Sequence, residues 1–459
     1  MSSSNRGARS ALALLLLINL FNYIDRYVLA AVVGPIKETF FREGAAVDGG
    51  SLGALMHWCQ SRLGFKPEDA LLGLLAAAFM VMYMLSAPVF ARLAERRSRW
   101  ALVGVGVILW SLASGASGLA ATFVLLLITR CCVGIGEGAY GPVAPAMISD
   151  LYPVKVRGQV LSWFYIAIPV GSALGYVLGG LVVNSGIGEW GAGIIGVRLE
   201  NWRWAFFLVT LPGLVLGVWS FFMREPGRGK ASKPTAVAWR SYLVLLRTPS
   251  YVYCTLGMAA MTFAIGGISF WMPYYLEGRA GAPANSTVIF GGITAVAGLT
   301  GTLLGGICGD KLRARFSGSY FLVSGAAMLA GFPILLAVLH SPFPWIWPLI
   351  FLTCFCLFFN TGPTNTILAN VTHPSIRAIG FALNIFVIHA LGDVISPFIV
   401  GLLNDWFQDW NKSFLVVGLT FVAAGVLWLF GAKHLRRDME LAVGRLDEQP
   451  AGGSACPTV

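Results

Sequence analysis

Ala91-Arg92-Leu93-Ala94-Glu95-Arg96-Arg97-Ser98-Arg99 closes one long apolar run, and Gly306-Ile307-Cys308-Gly309-Asp310-Lys311-Leu312-Arg313 closes another. The same echo occurs twice more. Pro153-Val154-Lys155-Val156-Arg157-Gly158 is matched by Pro374-Ser375-Ile376-Arg377-Ala378-Ile379-Gly380. Asn201-Trp202-Arg203-Trp204-Ala205-Phe206 is matched by Asp409-Trp410-Asn411-Lys412-Ser413-Phe414. All three pairs are offset by roughly 210–220 residues in the same direction. A repeat of that kind implies two similar halves related by an axis along a membrane normal.

Around these loops the chain is strongly apolar. Hydrophobic residues make up 57% and charged residues 12% of its 459 residues, and the mean hydropathy is +0.74. So few charges cannot cover the surface of a soluble protein of this size. Apolar stretches of about 20 residues each read as bilayer spans. They fall near 11–38, 69–91, 100–118, 122–148, 158–183, 203–223, 250–276, 287–309, 318–339, 345–371, 378–403 and 412–432. The expected fold class is therefore an all-α membrane protein, with twelve transmembrane helices in two six-helix bundles. The expected division is residues 1–223 for the first bundle and 224–248 for an inter-bundle linker. Residues 249–432 form the second bundle and 433–459 a tail.

Charge placement sets the expected topology. Alternate loops carry Arg92, Arg96, Arg97 and Arg99, then Lys155 and Arg157, then the Arg224–Arg247 stretch, then Lys311, Arg313 and Arg315. The other loops are mixed or acidic. By the positive-inside rule both termini are expected in the cytoplasm of a multi-pass protein of the plasma (inner) membrane. The net charge of +11 is then a topology signal, and no nucleic-acid partner is expected. Arg6 and Arg9 before an apolar run resemble a signal peptide. The run lacks a small-residue cleavage site and continues to Ile36, so it reads as a retained first span. The eight cysteines are scattered without metal or disulfide spacing, and no metal, cofactor or catalytic residue is expected. Neither a Gly-x-Ser-x-Gly nor a His-Glu-x-x-His string occurs, and there is no Walker phosphate loop.

Ionisable residues inside spans are costly in lipid and point to function. Span 1 carries Asn22, Asp25 and Arg26, and span 4 carries Arg130 and Glu137. Arg130 and Glu137 are seven residues apart and share a helix face, with Glu137 about 10 Å further toward the cytoplasm. Along antiparallel spans 1 and 4, Asp25 and Arg130 fall at similar depth. An Asp25–Arg130 pair with Glu137 as a second carboxylate is expected as a proton-coupling centre, the proton gradient supplying the drive. A static pair that only ties the two spans together is the plainer alternative. The second half looks chemically different. Span 10 offers Asn360, Thr361, Thr364 and Asn365, and span 11 has His389 and Asp393 at i,i+4 spacing. The neutral groups of span 10, with Arg26, Asn22 and His389, are the expected substrate-binding set. Charge on one wall and neutral polar groups on the other suit an amphiphile with a charged head.

The acid-and-arginine loops resemble the signature of the major facilitator superfamily, Gly-x-x-x-Asp-Arg-x-Gly-Arg, although Ala91, Glu95 and Ser98 depart from it in the first copy. A carboxylate there can bind the positive end of a facing helix and pair with arginines. Glu95, Arg96, Arg99, Asp150 and Arg157, with Asp310, Arg313 and Arg377, are the expected gating latch, unless they are ordinary solvated loops. Span 5 has glycines every four residues, Gly171, Gly175 and Gly179, read first as a packing stripe.

Phe21-Asn22-Tyr23-Ile24-Asp25-Arg26-Tyr27, Gly134-Ile135-Gly136-Glu137-Gly138-Ala139 and His389-Ala390-Leu391-Gly392-Asp393-Val394-Ile395-Ser396-Pro397 resemble spans 1, 4 and 11 of the spinster family. The resemblance implies a major facilitator fold that moves lysolipids or sphingosine-1-phosphate-like lipids, with bacterial members proton-linked. It implies headgroup and proton-coupling roles for Asp25, Arg26, Arg130 and Glu137, and weaker ones for His389 and Thr364. The expected partners are an amphiphilic lipid substrate and membrane lipids, with the chain acting as a monomer. An exporter of small organic anions or drugs, an uncoupled facilitator, and a sensor that occludes without transporting are the competing readings. The long loop from Phe41 to Lys66, with an amphipathic piece near Leu52 to Leu63, departs from the family pattern.

Overall fold

The structure, a computed structural model, describes residues 3–42, 50–225, 239–313, 315–373 and 376–444. Among these, twelve helices are long and apolar enough to cross a membrane. In order they are Gly7–Ala31, Glu68–Arg96, Arg99–Gly118, Phe123–Leu151, Gln159–Val183, Asn201–Ser220, Pro249–Glu277, Ser286–Arg313, Ser319–His340, Ile346–Val371, Ile379–Phe407 and Trp410–Gly431, hereafter spans 1 to 12. Span 1 begins and span 12 ends on one face, the near face; the opposite face is the far face.

Short polar residues set several helix starts. The Ser98 hydroxyl accepts the N–H of Ala101, Thr122 accepts that of Leu125, and Asp409 accepts that of Asn411. Helix breaks are equally specific. Span 1 stops at Ala31, shorter than expected, and a second helix runs Val33–Phe41. Val32 leaves helical geometry at φ −117° and ψ 15°, and Pro35 sits in the first turn of the new helix, where a missing N–H costs nothing. Span 4 is interrupted between Gly138 and Val143, ahead of which stand Gly141 and Pro142. Span 10 is interrupted between Phe358 and Thr361, with Pro363 just beyond. Span 11 carries a π-turn over His389–Asp393. In three of these spans a polar side chain adjoins the break: Glu137, Asn360 and His389. Broken helices of this kind are tolerated where protein or a cavity satisfies the freed backbone.

The two bundles pack as the repeat requires. Span 2 lies on span 11 and span 5 lies on span 8, and an exchange of span n with span n+6 converts one contact into the other. Both are built on glycines. A Cβ at Gly73 would strike the Pro397 carbonyl and one at Gly401 the Asp69 carbonyl; the equivalent Gly291 abuts Ala173, and Gly180 abuts Thr287. The Gly171, Gly175 and Gly179 stripe is a packing surface: it admits Tyr23, Tyr27 and Ala31 of span 1 against span 5.

Hydrogen bonds that cross between the halves cluster from mid-membrane to the far face. The Tyr176 hydroxyl donates to the Ser269 carbonyl at 2.5 Å. Asn184 donates to the Ala284 carbonyl at 2.9 Å, and Asn404 donates to Asp69 Oδ2 at 2.7 Å. Nearer the other face, Trp163 and Tyr165 of span 5 and Phe386 of span 11 are at least half exposed. The helix Gly50–Leu63 occupies the far-face insert, and the helix Trp239–Leu246 precedes span 7 and packs beside spans 7 and 11. Residues 226–238 of the linker call for no structural account because they lie outside the described residues, as do residues 445–459 of the tail.

Candidate functional site

A cavity of about 400 Å³ lies between the halves at mid-membrane depth. Tyr23, Arg26, Arg130 and Glu137 line it from the first half, and His389, Asp393 and Phe358 from the second. Arg26 Nε and a terminal guanidinium nitrogen both approach Glu137 Oε2 at 2.7 Å. The Glu137 side chain is fully buried, while 17% of Arg26 remains exposed. Three rings enclose the same guanidinium, with centroids 5.2, 5.0 and 5.1 Å away for Tyr23, Phe79 and Tyr83. Their π-faces stabilise the cation where water is scarce.

This pairing corrects the expectation drawn from helix depth. Asp25 and Arg130 do approach the same level, but among the described residues they form no ion pair with each other. Asp25 instead accepts a hydrogen bond from the Ser114 hydroxyl of span 3. Arg130 donates to Ser117 Oγ at 2.8 Å, and its guanidinium stands 5.1 Å from the Phe206 ring centroid. The reason is angular. Adjacent residues on a helix point about 100° apart, so Arg26 faces the cavity and Glu137 while Asp25 turns back toward span 3.

The substrate-binding set is also corrected. Asn22 is buried beside Glu137 and is not among the cavity-lining residues. Asn360 donates to the Cys356 carbonyl at 2.8 Å, Thr364 to the Asn360 carbonyl at 2.7 Å, and Asn365 to the Thr361 carbonyl at 2.8 Å. These groups satisfy carbonyls around the break in span 10. Thr361 and its neighbours leave the cavity wall to Cys354, Leu357 and Phe358, one to two turns away. The second wall is not neutral either. His389 Nδ1 meets Asp393 Oδ1 at 2.8 Å, and both side chains line the cavity. The i,i+4 spacing was visible in the sequence. The π-turn that presents both groups together was not.

At the near face the expected latch forms only in part, and its central acid is a residue the loop motif does not contain. Arg99 pairs with Asp150 at 2.5 Å and with Glu225 at 2.9 Å. Glu225 also accepts the Ser98 hydroxyl at 3.0 Å and the Arg99 backbone N–H at 3.1 Å. It therefore caps the positive start of span 3, the role the sequence assigns to Glu95. Glu95, Arg96 and Arg377 lie on the exposed surface. Asp310 accepts the Tyr320 hydroxyl at 2.8 Å, with Arg313 beside the same phenol. The Arg157 side chain lies outside the described residues.

Burial alone would push the Glu225 carboxyl up, but the bonds from Arg99, Ser98 and two backbone N–H groups outweigh it and hold it below its ordinary value of 4.5. A carboxylate depressed in the folded state contributes stability that is full above that value and disappears as pH falls further. Glu225→Gln is therefore expected to destabilise the protein by about 1 kcal/mol at neutral pH, screening included. The difference from the parent should shrink on acidification below 4.5. Thermal unfolding of both proteins across that range measures it; a difference independent of pH would remove the carboxylate from the account.

The far face carries a second set of contacts that sequence reasoning missed. Asp405, at the end of span 11, accepts the backbone N–H groups of Asp69 at 3.0 Å and Ala70 at 2.8 Å, capping span 2 across the two halves. Asp69 in turn binds Asn404 and meets Lys37 at 2.6 Å. Both carboxylates are almost fully buried. An acidic first turn at Glu68-Asp69 was a sequence signal for the helix start, but nothing in the string says that the cap comes from residue 405. Asp405→Ala removes two charge-assisted bonds of about 1.5–3 kcal/mol each. It is expected to raise the far-open population by about tenfold or more. Faster labelling of Cys354, which lines the cavity, by an impermeant thiol reagent from the far side would register that shift; unchanged labelling would deny Asp405 a part in closure.

Two six-helix bundles enclosing a charged mid-membrane cavity define a membrane transporter of the major facilitator type, and residues 15–397 match the family model described as Major Facilitator Superfamily. The chain is 31% identical to Protein spinster homolog 3 of Danio rerio, across 96% of this chain and 88% of that one. It is 34% identical to Protein spinster homolog 1 of Homo sapiens, across 89% of this chain and 75% of that one. It is also 31% identical to the Sphingosine-1-phosphate transporter SPNS2 of Danio rerio, across 85% and 75%. The chain belongs to the spinster family of this superfamily. It is a transporter and not an enzyme. The fold is shared with a crystal structure of a bacterial homologue of the human lysosomal transporter spinster, inward-facing and unoccupied, at TM-score 0.80 and 22% identity over 95% of this chain and 99% of that one. A D-xylose–proton symporter shares it at TM-score 0.72 and 18% identity, over 94% and 99%.

Proposed function

We propose that the protein moves a single-chain lipid with an anionic head, a lysophospholipid or a sphingosine-1-phosphate-like molecule, by proton-linked alternating access. The carrying observation is the composition of the cavity wall. Arg26 and Arg130 face the cavity beside Glu137, and apolar Ala76, Met80, Ile168, Ile265 and Ile268 continue the wall around them. Guanidinium groups recognise phosphate and the apolar surface takes a chain. A carrier of small polar anions has no use for so much apolar wall. The relative from Danio rerio that is a sphingosine-1-phosphate transporter supports the same substrate class.

Proton linkage is supported by three carboxylates in or just behind the cavity wall, Asp25, Glu137 and Asp393, of which Glu137 is held by a single arginine. Substrate phosphate that competes for Arg26 frees Glu137 to take a proton, and phosphate at Arg130 changes the charge that Asp25 feels, which couples the two ligands. Basic loops support a cytoplasmic near face. The present arrangement, joined at the far face, is then the inward-open one.

The test is uptake into proteoliposomes of sphingosine 1-phosphate, a lysophospholipid and a small organic anion, with and without a pH gradient. Uptake of the lipids that rises with the gradient is expected. Uptake confined to the small anion, or lipid uptake indifferent to the gradient, overturns respectively the substrate and the coupling.

A further inference from the structure

Span 3 presents Ser114 and Ser117 three residues apart, on one helix face, and each is at most 1% exposed. Each holds one of the two charges that sequence depth would pair. Ser114 donates to Asp25 Oδ1, and Ser117 accepts from Arg130 at 2.8 Å. The order of protons around Ser117 is fixed. Its hydroxyl donates to Thr129 Oγ1 at 2.9 Å or to the Ala113 carbonyl at 3.0 Å, and Thr129 donates to the Leu126 carbonyl at 2.7 Å. Every hydroxyl proton is thus directed away from the guanidinium, and a lone pair of Ser117 is left for it.

On these two charged side chains one atom each, Asp25 Oδ2 and Arg130 Nε, is buried without a hydrogen-bond partner among the described residues. Buried polar atoms of this kind are costly and rare. Arg130, 2% exposed, is among the residues that line the cavity and Asp25 is not, so the arginine borders the cavity while its nearest counter-charge is held behind. We infer that Ser117, backed by Thr129, is a positioning residue that aims Arg130 into the cavity to receive an anionic head group, with Ser114 keeping Asp25 from capturing it. The inference rests on the function proposed above for the same cavity.

Without the Ser117 hydroxyl, the unpartnered oxygen of Asp25 is the alternative acceptor, and Arg130 retreats from the cavity. Ser117→Ala is expected to raise the KM for sphingosine 1-phosphate about fivefold to twentyfold with little change in maximal rate, as loss of one bond to a charged group implies. Ser117→Thr, which restores a hydroxyl, is expected to return KM to within about twofold of the parent. Competition by an uncharged monoacylglycerol should be the same in all three proteins. Thr129→Val gives a smaller shift in the same direction and serves if Ser117→Ala folds poorly. A second readout needs no substrate: modification of Arg130 by phenylglyoxal, followed by peptide mass spectrometry, should slow several-fold in Ser117→Ala and recover in Ser117→Thr. Equal KM and equal modification in parent and Ser117→Ala overturn the inference, as does loss of affinity for the uncharged lipid to the same extent. A parent that takes up no single-chain lipid overturns the proposed function instead, and leaves the modification experiment to decide the placement of Arg130.

Discussion

Arg26→Ala is expected to abolish transport and to lower thermal stability by several degrees, and Arg26→Ala/Glu137→Gln to regain the stability without the transport. Glu137 is fully buried, and Oε2 takes both Arg26 nitrogens at 2.7 Å. Its other oxygen has no hydrogen-bond partner among the described residues. Removal of one member of a buried pair leaves an uncompensated charge and costs about 3–5 kcal/mol, whereas removal of both together is often close to neutral. The double variant separates the two quantities because its coupling term measures the pair itself. Transport follows different logic. Arg26 is the partly exposed member and sits in a cage of three rings at the cavity wall, so its loss deprives the head group of a fixed cation whatever happens to Glu137. A fall in uptake of about 100-fold or more, unrestored in the double variant, is expected. The measurements are melting temperature in detergent and initial uptake rates in proteoliposomes. An Arg26→Ala protein as stable as the parent, or a double variant that transports, would sink this account of the pair.

Most of the architecture was legible because its causes are local or repetitive. Span positions follow from runs of apolar residues, and bundle symmetry follows from three loop motifs at nearly one offset. Where the sequence failed, the missing information was angular or long-range. Helix depth correctly placed Asp25 near Arg130 and could not say that Arg26, one residue on, would turn to Glu137. The same counting treated Asn360 and Thr364 as cavity groups, whereas the break in span 10 recruits both to open carbonyls. Glu225 falls within the expected linker and Asp405 just past the expected end of span 11. Each caps a helix 126 and 335 residues away in the chain respectively, and no local pattern encodes a partner at that distance.

The two caps lie at opposite ends of the fold and differ in what they join. Glu225 ties the start of span 3 to the end of span 6 within the first bundle, so it can stay intact whichever way the bundles rock. Asp405 ties span 11 to span 2 across the bundle boundary and must release when the far face opens. Closure at the far face is therefore stabilised by charged hydrogen bonds that are lost on opening, and in the mechanism proposed above substrate or protons bias that exchange from the central cavity. The glycine contacts of Gly73 and Gly401 allow the close approach that makes the bonds possible.

Asp25→Asn is expected to leave lipid exchange at equal pH largely intact and to remove its response to a pH gradient. The substitution keeps the shape of the side chain and an oxygen that can accept from Ser114. It removes the ability to gain and lose a proton. Asp25 is 2% exposed, and Oδ2 has no partner among the described residues, so the site that would receive a proton is already vacant of hydrogen bonds. Its position behind Arg130 means that a substrate anion changes the charge it feels without touching it, which is what linkage between the two ligands requires. Gradient-driven accumulation should fall about tenfold or more, toward the level without a gradient, while counterflow of labelled lipid changes by less than about threefold. Glu137→Gln provides the contrast: as the partner of Arg26 it should depress both activities. If Asp25→Asn still accumulates lipid against the gradient-free baseline, the proton is carried elsewhere, and the His389–Asp393 pair on the opposite wall is the next site to neutralise.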